Sequence, residues 1–141
     1  MDIVSNLSLG KREGENSLID KSFFFLIKLM GYRNQLRMNH WQTLSYAEHK
    51  MTDKLIDALT KYTDSIGEVV LGTLGRPQIS TISTNISDIK IVSTNNILER
   101  LDIDVKEMLA EYKITEYESV IALLGELDAT VKKFKYLSTL E

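Results

Sequence analysis

The sequence contains no cysteine, one proline and only two histidines among its 141 residues. Without cysteine there are no disulfides, no thiolate nucleophile and no Cys-ligated zinc or iron–sulfur site. Any metal must therefore be held by His, Asp and Glu. One proline and seven glycines are few for this length and favour long uninterrupted elements. The formal net charge of -3 gives no global basic surface for nucleic acid or an anionic membrane. The most apolar run, "FFFLIKLMGY", is broken by Lys28 and is too short to span a bilayer. The amino end lacks the apolar stretch of a signal peptide, so the expected location is cytoplasmic, a virus-encoded origin included. There is no Gly-rich phosphate loop, no G-x-S-x-G elbow, and no E-x-x-H pair of the kind the commoner di-iron bundles use.

What is present reads as one all-α domain. The chain is 43% hydrophobic, enough for a sizeable core. Residues 1–16 read as a flexible amino-terminal arm and 17–141 as the folded domain. Ser17 and Asp20 form an S-x-x-D capping signal that opens a first helix near residue 18. Its apolar stripe would be Ile19, Phe23, Leu26, Ile27, Met30, Trp41 and Leu44. Ser45 and Glu48 make a second capping box, and "LGRP", with Gly75 and Pro77, stops the second helix near Leu74. The link between them is two or three residues, which predicts an antiparallel hairpin. Residues 77–92 are rich in Ser, Thr and Ile and read as a crossover, with a short strand or one-turn helix possible inside it. A third helix follows over about 94–112, with Ile97, Leu98, Leu101, Val105, Met108, Leu109 and Tyr112 on one side. A fourth opens at a third capping box, Thr115 and Glu118, and continues through Val120, Leu124, Leu127, Val131, Phe134 and Leu137. Two hairpins joined by a long crossover describe a four-helix bundle of the ferritin-like kind.

The second helix carries the chemistry. Leu55, Ile56, Leu59, Ile66, Val70 and Leu74 share one side, Lys50, Lys54 and Lys61 another. The remaining arc holds His49, Asp53, Asp57, Thr60, Asp64 and Glu68. His49 and Asp53 are one i, i+4 pair; Asp64 and Glu68 are a second. At a rise of 1.5 Å per residue the pairs lie roughly 16 Å apart or more, too far for one ion. Two antiparallel copies of this helix, related by a two-fold axis between residues 58 and 59, bring His49 opposite Glu68 and Asp53 opposite Asp64. His40, in the last turn of the first helix, can add a second imidazole across the hairpin. The expected metal ligands are thus His40, His49, Asp53, Asp64 and Glu68.

His-Trp at the end of one helix, then His with Asp four further on, then Asp and Glu fifteen and nineteen after that His, resembles the Dps-like branch of the ferritin superfamily. "LGRP" at the end of the second helix is also similar to that branch. The resemblance implies an intersubunit ferroxidase site. His40, His49 and Asp53 of one chain would meet Asp64 and Glu68 of its neighbour, with Trp41 beside the metals as an electron-transfer candidate. It implies oxidation of Fe(II) by hydrogen peroxide or oxygen, and storage of ferric mineral in a twelve-subunit shell. Zinc or manganese would fit the same ligands. Some members of that branch also protect DNA.

Rival readings accompany these. The bundle can be non-catalytic, using metal, or none, only to build a dimer or larger assembly; a His40–His49 separation shorter than the family's favours this. His40 alone reads as a helix-capping or core residue, and Trp41 as packing. Lys132, Lys133 and Lys135 form a basic cluster that reads as a solvated face, with DNA compaction as the weaker alternative.

Overall fold

The computed structural model describes residues 9–77 and 92–140, with side chains from residue 18. These residues form four helices, α1 (Leu9–Gln42), α2 (Tyr46–Leu74), α3 (Thr94–Lys113) and α4 (Glu118–Leu137), and contain no strand. The protein is an all-α bundle. α1 packs on α2 and α3, and α4 packs on the same two.

Contacts at the helix ends give the directions. Asn39, late in α1, donates to the Val92 carbonyl just before α3, and Lys21, in the first half of α1, pairs with Glu111 late in α3. α1 and α3 are therefore antiparallel. α1 and α2 are antiparallel too, joined by a turn at residues 43–45. It follows that α2 and α3 run the same way, so the end of α2 and the start of α3 lie at opposite ends of the bundle. Of the crossover expected over residues 77–92, with its possible strand or one-turn helix, residues 78–91 lie outside the described residues.

The core comes from apolar arcs at helical spacing. α2 buries Leu55, Ile56, Leu59, Ile66 and Val70; α4 buries Val120, Leu124, Leu127, Val131 and Phe134. α3 buries Ile97, Leu98, Leu101, Val105, Met108 and Tyr112. These arcs match the sequence expectation, with Leu109 and, at the helix ends, Leu74 and Leu137 only partly buried. α1 does not follow it. Its buried apolar side chains are Ile19, Phe25, Leu26, Leu29 and Leu36, whereas Met30, Trp41 and Leu44 are exposed. The reason is that α1 carries apolar residues on more than one face, so the sequence stripe mixed inward and outward positions.

Helix ends also differ in part. α1 begins at Leu9, placing Ser17 inside the helix rather than at its cap, while residues 1–8 of the expected arm lie outside the described residues. Ser45 caps α2 as expected, its hydroxyl accepting from the Glu48 amide. The Thr115–Glu118 box does not form. α4 starts after Tyr117 with no side-chain cap, and the Thr115 hydroxyl instead donates to the Tyr112 carbonyl at 2.6 Å. Gly75 ends α2 at a φ of 88°, in the left-handed region that favours glycine.

The α3–α4 face holds one buried charge. Asp102 meets Lys106 at 3.1 Å, Lys135 at 3.2 Å and Lys132 at 3.6 Å. Burial pushes its carboxyl up, but hydrogen bonds from Lys106 and Lys135 outweigh this and hold it below the usual 3.8. A carboxylate with a depressed folded pKa adds stability above its unfolded value, and that contribution is lost as pH falls through the folded value. Stability is therefore expected to decline as pH drops below about 4. Asp102→Asn should lower stability near neutrality and flatten that acid decline, as read by urea unfolding across the pH range. Two of the three basic residues of the late α4 cluster are ion-paired: Lys132 with Asp102 and Asp128, and Lys135 with Asp102 and Glu99.

Candidate metal centre

The α1–α2 turn brings the two histidines face to face. Their rings stack with centroids 3.8 Å apart and planes inclined by 18°. His40 Nδ1 lies 2.8 Å from the His49 carbonyl oxygen, and His49 Nδ1 lies 3.0 Å from the His40 carbonyl oxygen. A carbonyl oxygen only accepts, so each Nδ1 carries a proton, and in the neutral form of either ring the lone pair sits on Nε2. This is the backbone-anchored tautomer usual for a metal-binding imidazole. It serves the fold as well, because the His40 carbonyl belongs to the last turn of α1, where intrahelical donors run out.

A polar network supports the pair. The Thr52 hydroxyl, fully buried, donates to the Glu48 carbonyl at 2.8 Å and lies 3.2 Å from His40 Nδ1. The Glu48 carboxylate accepts from the Thr43 hydroxyl in the turn and from the Thr94 hydroxyl, the latter at 2.7 Å. Thr94 in turn accepts from Asn39 Nδ2 at 3.2 Å. Glu48 thus joins the hairpin turn to the start of α3 instead of returning to the Ser45 amide, which donates to Thr43. Asn39 and Thr52 are functional-site neighbours the sequence reading passed over, and Glu48 entered it only as a capping residue. A signal existed for Thr52, a polar residue set on the apolar arc of α2 three and four positions before Leu55 and Ile56.

The carboxylates stand apart from this pair. Asp53, Asp64 and Glu68 are exposed on the outward face of α2 with Asp57. Among the described residues, no three His, Asp or Glu side chains of one chain come together to hold a metal. The stacked rings also restrict what the histidines do alone. An ion bound at Nε2 lies near the plane of its own ring, and these planes are nearly parallel. One ion held by both imidazoles requires one ring to leave the stack, whereas two neighbouring ions do not. Trp41, next to His40, is 70% exposed and is no part of the core.

A family model, that of a family of unknown function (DUF5856), matches residues 40–137. The chain belongs to this family. The match opens at His40, so the family region takes in both histidines, the three carboxylates and the whole of α2, α3 and α4. No curated protein and no solved structure matches the chain.

Proposed function

We propose that this DUF5856 member is a ferritin-like, Dps-like iron protein that binds Fe(II) between two copies of the chain and oxidises it. The observation that carries this reading is the reciprocal pair of histidine–carbonyl hydrogen bonds, which leaves two Nε2 donors at the end of an otherwise acidic stripe. The helix directions, with α2 and α3 running the same way, agree with a ferritin-like bundle. Imidazole and carboxylate together suit a first-row transition metal over magnesium or calcium.

Iron is here substrate rather than resident cofactor. His40 and His49 would each supply Nε2, and Asp53 would join from the same chain. Asp64 and Glu68 of the partner subunit would complete the coordination and stabilise the ferric charge. Hydrogen peroxide then takes one electron from each of a pair of Fe(II) ions, and its oxygens leave as water or enter ferric oxide-hydroxide. Trp41, next to His40 and exposed, would give up an electron when the supply of Fe(II) falls short.

The same hydrogen bonds favour a second reading, in which the histidines staple the hairpin and metal, if bound, only holds copies together. Aerobic addition of Fe(II) separates the two. The ferroxidase reading predicts ultraviolet–visible absorbance of ferric species rising faster than in a protein-free blank, with hydrogen peroxide accelerating it. A rise equal to the blank under both oxidants rejects it and leaves the staple.

A further inference from the structure

The start of α2, the start of α3 and the end of α4 meet at one end of the bundle around an open cavity of about 570 Å³. Small-molecule sites span roughly 300–1,000 Å³. Its floor is apolar, made by Met51 of α2, Phe134 and Leu137 of α4, and Leu140 just beyond α4. Its rim carries two exposed cations, Lys50 and Lys54 of α2.

Charge in this lining is unbalanced. Lys50 and Lys54 are an i, i+4 like-charge pair, which destabilises a helix unless something compensates it. Lys21, Lys28, Lys106, Lys132 and Lys135 each have a carboxylate partner. Lys50 and Lys54 have none among the described residues. Lys50 rests over the Tyr46 ring, 5.5 Å from its centroid, which holds the ammonium without using up its donors. The one acid of the lining, Glu48, is already taken by the hydroxyls of Thr43 and Thr94. Two ammoniums against one carboxylate leave a single net positive charge. Hydrogen-bonding capacity is unbalanced in the same sense. The last carbonyls of α4, from Phe134 to Leu137, already accept from the amides of Ser138, Thr139 and Leu140 and from the Ser138 hydroxyl. Ala47 and Asn95, in the first turns of α2 and α3, line the cavity, and their N–H groups have no acceptor among the described residues. The cavity therefore offers donors and positive charge beside an apolar floor, and what it lacks is an acceptor.

We infer that this cavity binds a free medium-chain carboxylate. The carboxylate sits against Lys50 and Lys54, and the alkyl tail lies on Met51, Phe134, Leu137 and Leu140. A monoanionic head matches the net charge of the lining, its oxygens supply the missing acceptors, and it relieves the repulsion between the two lysines. The tail covers the apolar floor, which favours an amphiphile over a simple ion. The site uses none of the five proposed metal ligands, so the inference goes beyond the ferroxidase reading.

The test is an NMR titration of the full chain with octanoate, in chelator so that metal plays no part. The amide signals of Ala47 and Asn95 and the side-chain signals of Met51 and Leu137 should move together and saturate. The unfolding temperature should rise with octanoate, as it does for any ligand that binds only the folded state. Octanol keeps the tail and acetate keeps the head; each should bind about tenfold more weakly or worse, because each gives up one half of the contact. Lys50→Gln/Lys54→Gln should weaken octanoate binding by about tenfold or more. Its circular dichroism should be unchanged, since both side chains are exposed. Lys61→Gln, on the same helix but outside the cavity, should bind octanoate like the parent. Failure to saturate, equal affinity for octanol, or unchanged affinity in the double lysine variant overturns the inference. Shifts at the same residues with phosphatidylglycerol vesicles but none with octanoate would assign the cavity to a lipid surface and overturn it too.

Discussion

Asp53→Ala/Glu68→Ala is expected to leave the bundle folded and to remove its metal binding. The structural cost is small because both carboxylates are exposed on α2, outside the core, and alanine is the better helix former by a few tenths of a kcal/mol at such sites. The functional cost is large because the proposed centre loses one ligand from each contributing chain. We expect at least two bound ions per dimer in the parent, as the symmetry requires. In the double variant affinity should fall by more than about a hundredfold, since loss of even an outer partner of a metal ligand costs about 10- to 100-fold. Metal analysis after equilibrium dialysis, with thermal unfolding in parallel, checks both halves. Unchanged metal content with unchanged stability would mean that these acids are a solvated face and nothing more.

Glu48→Ala should give the largest loss of stability among the polar residues. Its carboxylate accepts from Thr43 in the turn and from Thr94 at the start of α3. Thr94 is 4% exposed, and removing its acceptor leaves that hydroxyl unsatisfied away from water. A hydrogen bond to a charged group is worth about 1.5–3 kcal/mol, so the expected loss is about 2–3 kcal/mol. Glu48→Gln keeps one acceptor oxygen and should recover about half of it. Urea unfolding monitored by circular dichroism measures the series. Because Glu48 anchors the turn that stacks the histidines, the same variant should also weaken metal binding while leaving all five proposed ligands in place.

Legibility in the sequence varied by helix for a physical reason. α2, α3 and α4 each bury one arc and expose the rest, so spacing alone located their cores. α1 has a second apolar seam facing outward, and periodicity cannot say which seam a single chain buries; Met30 and Trp41 were placed inside for that reason and are exposed. The Ser45 cap was legible because one hydroxyl and one amide, three residues apart, suffice to make it. The Thr115 box failed because its hydroxyl found the Tyr112 carbonyl first. The nearness of His40 and His49 followed from the short hairpin, but their mutual hydrogen bonds did not, since those depend on the turn at residues 43–45 rather than on residue type. Glu48 was visible as a capping residue; its bond to Thr94 joins segments far apart in sequence and leaves no local pattern.

In the proposed metal centre, the protonation pattern of the stacked histidines would bear on the speed of capture. Each ring has already committed its hydrogen to the opposite backbone, so an arriving cation finds a donor nitrogen without waiting for a tautomer to interchange.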